Sequence, residues 1–393
     1  MTDQGDFLAY GRQDIDGDDI AAVVRTLQSD FLTTGPEIPA FETEFAAFAA
    51  AAHGIACSNG TTALHLALDS LGVGEGDVCI VSSITFMATA NAARYCGAEV
   101  VFADVDPGTG LLTPETLAGA VERAGGRAKA VLPVHLAGLP CDMEAIAALA
   151  RQHGLAIVED SCHALGSRDA SGAMIGACAH SDAASFSFHP VKSLTTGEGG
   201  MVTTNNPDLA ARMARQRSHG IERASDSFER AEGAGEPWYH EMVSLGWNYR
   251  LPDINAALGR SQLVRMADFA VRRRSLTAAY REYLAALAPL VRLADDPPGT
   301  EPCRHLMNVQ IDFDASGKTR AGVMNALKAR GIGTQVHYIP VHTQPYYVRR
   351  YGKQRLPGAE AHYASTLSLP LFTQMETGDV ARVCAALGEV LRR

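Results

Sequence analysis

One lysine in the sequence could supply a reactive amine. In the segment SFSFHPVKSLTTGEGG, an alternating apolar run is followed by Lys192 and then by a glycine-rich turn. An amine attacks a carbonyl only in its neutral form, so burial that lowers the lysine pKa would prepare Lys192 to form an imine with an aldehyde cofactor. The alternative is an ordinary solvated lysine at the end of a strand.

A carboxylate occupies a comparable position in the segment LAIVEDSCHALGS. Asp160 lies just after the apolar run LAIV, which is typical of a buried strand. One interpretation is a carboxylate that caps the next turn. It would also suit the ring nitrogen of pyridoxal phosphate, because a carboxylate there keeps the ring protonated and able to accept electron density from a substrate carbon.

The remaining candidates would hold the phosphate and the ring of such a cofactor. In SNGTTALHLAL, small and hydroxyl residues open a helix, whose first N–H groups suit a phosphate, although a plain helix cap has the same composition. The direction of Ser187 stays open between a phosphate contact and a strand serine, since Pro190 interrupts the alternation. Phe86, just past a strand, would stack on a flat ring or belong to the core. The phosphate candidates are Gly60, Thr61, Thr62 and Ser187.

The elements that must position these residues alternate between strand and helix periods. Apolar runs predict strands in VCIVSSITF, EVVFADVD, AKAVLPVHL, LAIVED, AASFSF and GMVTT, and helical segments such as DMEAIAALARQHG separate several of them. This order predicts an α/β fold with a mostly parallel sheet covered on both faces. Ligands of such sheets bind beyond the carboxyl ends of the strands, where Asp160 and Lys192 are expected.

The chain is predicted to divide near residue 260. Residues 1–260 would form a large cofactor-binding domain and residues 261–393 a small C-terminal domain, with strands near 308–313 and 333–336. The polar, aperiodic segment 222–237, within the large domain, is predicted to be a mobile insertion.

Composition excludes several classes of protein. The 393 residues include 34 basic and 44 acidic side chains, a net charge of -10, which argues against binding of nucleic acid. The eight cysteines show no CxxC pair and no zinc-like spacing, so we expect inert thiols in a reducing compartment and no metal site. The sequence shows no signal peptide and no apolar run of about 18 residues, so we expect a cytoplasmic protein without membrane contact.

Taken together, these motifs resemble the fold-type-I pyridoxal-phosphate enzymes, and specifically the DegT/DnrJ/StrS family of nucleotide-sugar aminotransferases. The resemblance covers nearly the whole chain and is carried by NGTTALHLAL, EDSCHALGS, SFSFHPVKSLTTGEGG, RSHGI and GWNYRLPDINAALG. It implies pyridoxal 5'-phosphate as cofactor, a mostly parallel sheet of the seven-stranded type in the large domain, and a smaller C-terminal α/β domain. It also implies a homodimer with shared active sites.

The resemblance assigns a role to each matching residue. Lys192 would carry the cofactor and later move a proton, Asp160 would pair with the ring nitrogen, and His163 would approach the phenolic oxygen of the cofactor. Phe86 matches the stacking aromatic residue. The implied phosphate contacts are Gly60, Thr61, Thr62 and Ser187, with Asn248 donated by the other subunit.

Within the family, the segments LAYGRQ, SDFLTTGP, CHALGS and QVHYIPVHTQPYY are most similar to the C4 aminotransferases of pseudaminic-acid biosynthesis. This likeness implies that L-glutamate donates its amino group to C4 of a UDP-4-keto-6-deoxy-N-acetylhexosamine, giving UDP-4-amino-4,6-dideoxy-N-acetyl-β-L-altrosamine. The histidine at position 163 is more typical of amination at C4 than at C3. The sugar contacts would be Tyr10, Asp30, Phe31, Leu32, Thr33, Gln335, Val336, His337 and Tyr338.

Several alternatives stay open. The enzyme would aminate C3 or C4 of another nucleotide-linked keto sugar, or the protein would be a pyridoxal-phosphate-binding regulator without turnover. The segments 30–33 and 335–338 would equally suit a surface loop and a strand of the small domain. The polar insertion at 222–237 departs from the family pattern, as does Cys162.

Overall fold

The computed structural model describes residues 7–230, 233 and 235–392, so residues 231, 232 and 234 of the predicted insertion lie outside the described residues. A seven-stranded sheet lies at its centre. The strands are β1 His53–Cys57, β2 Val78–Ser82, β3 Glu99–Ala103, β4 Ala128–Leu132, β5 Ala156–Asp160, β6 Ala183–Ser187 and β7 Gly200–Thr204.

The sheet has the order β1-β7-β6-β5-β4-β2-β3, and β7 alone among these seven strands runs antiparallel to its neighbours. Strands β2 and β7 are buried along their whole length, because helices cover both faces of the sheet. The predicted mostly parallel α/β fold is therefore confirmed. The helices of this part are α1 Gly17–Leu27, α2 Glu37–Ala49, α3 Gly60–Ser70, α4 Met87–Tyr95, α5 Pro114–Ala124, α6 Met143–Gln152 and α7 Pro207–Gln216.

Each of the six apolar runs contains a strand, but β1 has no counterpart among the predictions. Its sequence, HGIAC, has only a short apolar stretch after a polar residue and a glycine. The strand is stabilised by its antiparallel pairing with β7, in which Ile55 lies opposite Val202. Because β1 and β7 are far apart in the chain, their pairing leaves no local sequence signal.

The C-terminal part contains a second, antiparallel sheet of three strands. A two-stranded ribbon, β8 Ile221–Glu222 and β9 Glu241–Met242, precedes it. The sheet has the order β10-β11-β12, formed by β10 Val291–Leu293, β11 Met307–Ile311 and β12 Thr366–Leu369. The helices are α8 Asp253–Val264, α9 Met266–Leu284, α10 Phe313–Ser316, α11 Arg320–Lys328, α12 Pro345–Tyr351, α13 Pro357–Ser365 and α14 Thr377–Arg392.

The strand predicted at 333–336 is wrong. The backbone groups of Gly331 and Gly333 bond to Leu8 from the N-terminal segment, so this stretch pairs outside the small sheet. It then makes a single bridge from Gln335 to Ser368 on β12. The third strand of the small sheet is β12, which lies later in the chain.

Helix α9 contributes to two apolar cores. Its first residues, Met266 and Phe269, pack in a core with Phe41 and Phe186, whereas its later residues, such as Leu276, pack in the core of the small sheet. The division at residue 260 stays a prediction. Among the described residues, no helix is both long and apolar enough to cross a membrane. The cytoplasmic location stays a prediction as well.

Candidate active site

Asp160 ends β5 and is held there by two donors. The hydroxyl of Thr89, on α4, donates to its Oδ2 at 2.7 Å, and the backbone N–H of Cys162 donates to its Oδ1 at 3.2 Å. The residue is only 6% exposed. Both bonds fix the orientation of the carboxylate at the carboxyl edge of the sheet. Sequence reasoning missed Thr89, although it lies only three residues after Phe86, in the first turn of α4.

Lys192 lies five residues beyond the end of β6. Its backbone N–H donates to the carbonyl of His189 at 2.8 Å, which closes a turn after the strand. Burial lowers the pKa of the Lys192 amine below its usual range, while the nearby Cys162 and Asp160 act in the opposite direction. Because a smaller proton affinity raises the neutral fraction, this environment suits an amine that attacks a carbonyl.

The buried His163 and the half-buried Tyr338 form a pair beside Lys192. The Nδ1 of His163 accepts the backbone N–H of Ala137 at 3.3 Å, so the ring proton lies on Nε2, which is 3.1 Å from the Tyr338 hydroxyl. The two rings stack with their centroids 5.9 Å apart. Burial, followed by the positive charge of Lys192, lowers the pKa of His163 well below its usual range. His163 is therefore a neutral donor rather than a charged one.

His305, which the sequence did not indicate, lies next to His163, and Arg273 acts on it. The ring of His305 is 4.9 Å from that of His163, and both are buried. Burial and the charges of Lys192 and Arg273 lower the pKa of His305 well below its usual range. Arg273 lies on α9 and His305 in the segment before β11, and no local sequence pattern links either residue to His163.

The beginning of α3 forms a cradle with the end of β6. The side chain of Asn59 accepts the N–H of Thr62 at 2.9 Å, and the Thr62 hydroxyl accepts the N–H of Asn59 at 3.1 Å. This capping box leaves the N–H groups of Gly60 and Thr61 without partners inside the helix, as an anion site requires. A Cβ at Gly60 would lie 2.7 Å from the Cβ of Ser187. These residues fit the phosphate of pyridoxal phosphate.

Phe86 directly precedes α4, and 53% of its surface is exposed. Its ring centroid lies 6.1 Å from that of Tyr338. The core alternative is therefore wrong, and the ring is available to stack on a flat cofactor. The exposed face of the Phe86 ring is accessible to a ligand in the site.

The predicted sugar contacts divide into two groups. Tyr10 lies beside His337, with ring centroids 5.6 Å apart, and His337 contacts Tyr338, so these three residues line one side of the site. Gln335 is exposed, and its side chain accepts the N–H of Val336.

The loop 30–33 lies elsewhere on the surface. Asp30, Phe31, Leu32 and Thr33 are exposed, and the carbonyl of Leu32 accepts the N–H of Asp253 on α8. Within the described part of the chain, no hydrogen bond or ring contact joins this loop to Lys192. Asn248 is also exposed and bridges Ser218. The contact of loop 30–33 with the sugar nucleotide stays a prediction, as does that of Asn248 with the cofactor phosphate of the other subunit.

Replacing Gly60 with alanine tests the phosphate cradle. The added Cβ would separate α3 from Ser187, and overpacking of this kind costs about 1–3 kcal/mol. We expect the dissociation constant for pyridoxal phosphate to rise about tenfold, measured by absorbance titration of the apoprotein. Gly17→Ala is the matched control, because Gly17 begins α1 and a Cβ there would have no other atom within 4 Å. Equal affinities of Gly60→Ala and the wild type would contradict the cradle.

Comparison with known proteins agrees with this arrangement. The model of the DegT/DnrJ/EryC1/StrS aminotransferase family matches residues 13–388. The spore coat polysaccharide biosynthesis protein SpsC of Bacillus subtilis (strain 168) is 39% identical over 389 residues, which are 98% of this chain and 97% of that protein.

Solved structures extend the likeness to the fold and the cofactor. Helicobacter pylori PseC, an aminotransferase involved in the biosynthesis of pseudoaminic acid, has a TM-score of 0.89 at 28% identity, covering 98% of this chain and 99% of that chain. Spr1654 of Streptococcus pneumoniae in its PLP form has a TM-score of 0.87 at 26% identity, covering 98% of both chains, and a PMP form is also solved. The chain therefore belongs to the DegT/DnrJ/EryC1/StrS aminotransferase family, and it is a sugar aminotransferase that uses pyridoxal phosphate.

Proposed function

We propose that this enzyme transfers the amino group of L-glutamate to C4 of a UDP-4-keto-6-deoxy-N-acetylhexosamine, as in pseudaminic-acid biosynthesis. The product would be UDP-4-amino-4,6-dideoxy-N-acetyl-β-L-altrosamine. When bound, the cofactor supplies an electron-accepting ring that carries the amino group between the two substrates. The observation that carries the proposal is the grouping of Lys192, Asp160 and the neutral His163–Tyr338 pair at one edge of the sheet.

Lys192 would act as the proton carrier. Its lowered pKa favours a neutral amine, which would move the proton between the substrate carbon and the cofactor carbon. Asp160, fixed by Thr89 and Cys162, would hold the ring nitrogen in its protonated form. His163 would approach the phenolic oxygen of the cofactor, with its Nε2–H directed to the Tyr338 hydroxyl, which would hold the imidazole in place.

The wall formed by Tyr10, His337 and Tyr338 would bind the sugar. The hydroxyl of Ser368 donates to Asn308 at 2.5 Å, so the bond of 2.7 Å between His337 Nδ1 and Ser368 needs the proton on Nδ1. The Nε2 atom of His337 then carries a lone pair. We infer that this atom accepts a hydrogen bond from a sugar hydroxyl, while the aromatic rings pack against the sugar face.

A homodimer would complete the site. Asn248 is exposed, and the neighbouring Met242 and Leu245 are 68% and 71% exposed, which is unusual for large apolar side chains in a monomer. This surface supports the expectation that the Asn248 side chain reaches the cofactor phosphate of the other subunit. The exposed loop 30–33 would contact the nucleotide sugar.

A second candidate is amination of another nucleotide-linked keto sugar. The 39% identity to SpsC, a spore coat polysaccharide biosynthesis protein, favours a sugar destined for a different polysaccharide. The chemistry of Lys192 and Asp160 would be the same, and the difference would lie in the nucleotide and in the configuration of the sugar.

A panel of keto sugars separates these candidates. We expect the highest kcat/KM with the UDP-linked 4-keto-6-deoxy-N-acetylhexosamine and nitrogen on C4 of the product, located by nuclear magnetic resonance. Preference for a different nucleotide or a 3-keto sugar would support the second candidate. Failure to release 2-oxoglutarate from glutamate would instead point to a different amino donor. The 2-oxoglutarate assay needs no sugar, so it tests the amino donor separately.

A further inference from the structure

A cluster of three metal-ligand side chains lies outside the active site. His65 and Asp69 are four residues apart on one face of α3, and Cys96 directly follows α4. An imidazole nitrogen, a carboxylate oxygen and the thiol sulfur of these residues all lie within 4.8 Å of one another. His65 is buried, whereas Asp69 and Cys96 are half-buried, so an ion can enter from their side.

The imidazole of His65 has a free nitrogen. Its Nδ1 lies 3.2 Å from the hydroxyl of Tyr249, while its buried Nε2 has no hydrogen-bond partner among the residues that the structure describes. When Nδ1 donates to Tyr249, Nε2 exposes a lone pair. In most metal-binding histidines, a hydrogen bond from the ring nitrogen that does not bind the metal orients the ring. Burial lowers the pKa of His65 to about 4, so the ring is neutral near pH 7.

The carboxylate of Asp69 lacks a compensating cation. It accepts a hydrogen bond of 2.6 Å from Gln216, but in the described part of the chain no lysine or arginine forms an ion pair with it. Burial raises the pKa of Asp69. Burial and the charge of Asp69 together raise the pKa of Cys96 to about 12. A divalent cation would offset the charge of Asp69 and favour the Cys96 thiolate.

We propose that His65, Asp69 and Cys96 form a zinc site, with water as the fourth ligand. A tetrahedral set of nitrogen, oxygen and sulfur donors suits Zn²⁺, whereas Mg²⁺ and Ca²⁺ prefer oxygen donors alone. Binding forms a bond from the metal to Cys96 Sγ and releases the thiol proton to solvent. The donor atoms draw together from their present spacing, since zinc bonds are about 2.0–2.3 Å long.

Bound zinc would link α3, through His65 and Asp69, to the end of α4, through Cys96. Both helices serve the active site at their other ends, because α3 begins at the phosphate cradle and α4 begins beside Phe86. The carbonyl of Tyr249, whose side chain contacts His65, accepts the N–H of Ser58 at 2.8 Å, just before that cradle. Zinc would therefore stabilise the support of the cofactor site without contacting the substrates.

Calorimetric titration of Zn²⁺ into chelator-treated protein loaded with pyridoxal phosphate tests the proposal. We expect one ion per chain and close to one proton released per ion in the wild type. Loss of a hydrogen bond to a metal ligand lowers metal affinity by about 10- to 100-fold. In Cys96→Ala and Asp69→Asn, the Zn²⁺ affinity should fall by more than this, because a ligand itself is removed. Cys384→Ala is the matched control, because Cys384 is a buried free thiol in the core of the small sheet.

Two further measurements make the outcome decisive. Co²⁺ bound in place of zinc should give tetrahedral d–d bands in the wild type and in Cys384→Ala, and not in the two ligand variants. Cofactor content and 2-oxoglutarate release should match the wild type in Asp69→Asn, which shows that the variant is folded. Equal Zn²⁺ affinity of wild type and folded Asp69→Asn would overturn the proposal, as would absence of tight binding in the wild type.

Discussion

The Lys192→Ala variant is expected to lose at least about 10⁴-fold in kcat, the upper range for removal of a general acid–base group. The change removes both the amine that holds the cofactor and the group that would move the proton. The other lysines of the chain are Lys129, Lys318, Lys328 and Lys353. None of these lies in the segments that form the site, so none can substitute. Initial rates with glutamate and the keto sugar would measure the loss.

Lys129→Ala provides the matched control. Lys129 is exposed at the beginning of β4, which is the opposite edge of the parallel sheet from Asp160 and Lys192. We expect its rate to equal that of the wild type. Lys192→Arg separates charge from reactivity, because a guanidinium keeps the positive charge but does not release its proton. It should be as inactive as Lys192→Ala. Activity of Lys192→Ala near that of the wild type would remove the basis of the proposed mechanism.

The arrangement of the sheet could be predicted because each central strand is buried on both faces. Runs such as LAIV in β5 and VCIV in β2 are apolar along their whole length, and their alternation with amphipathic helices indicates parallel strands. Asp160 and Lys192 follow two such runs, so their meeting at one edge follows from the topology. Gly60 and Ser187 also meet at this edge, because α3 begins where β1 ends, but β1 itself has no local sequence signal.

The rest depends on contacts between distant segments, which leave no local pattern. His305 contacts His163 although the two residues are far apart in the chain. The predicted strand at 333–336 failed because Leu8, at the other end of the chain, takes the backbone bonds around Ile332. The proposed zinc ligands could not be found by spacing, since Cys96 follows α4 whereas His65 lies on α3.

Asp160→Asn is the second variant for which we expect a large loss, about 10²- to 10³-fold in kcat, as when an electrostatic contact to the reacting group is removed. The Thr89 hydroxyl and the Cys162 N–H each donate to one carboxylate oxygen. An amide keeps one acceptor and replaces the other with a donor, so one of these bonds is lost together with the charge. The cofactor would remain bound through Lys192 and the α3 cradle.

Thr89→Val separates the hydrogen bond from the charge. It removes one donor and keeps the carboxylate, so the expected loss is smaller, about tenfold. Cofactor content, measured by absorbance, should stay near that of the wild type in both variants. If Asp160→Asn lost its cofactor as well as its activity, the carboxylate would be needed for binding rather than for the chemistry of the ring.

The pH dependence of Asp160→Asn provides an independent test of its effect on Lys192. The negative charge of Asp160 raises the pKa of the Lys192 amine, opposing the larger effect of burial. Removing that charge should lower the pKa further, because the ammonium form loses a favourable neighbour. The limb of the pH–rate profile that reports deprotonation of Lys192 should therefore shift to lower pH in Asp160→Asn. In Thr89→Val, where the carboxylate keeps its charge, the limb should stay near its wild-type position. A shift to higher pH in Asp160→Asn would show that the two groups are not coupled in this way.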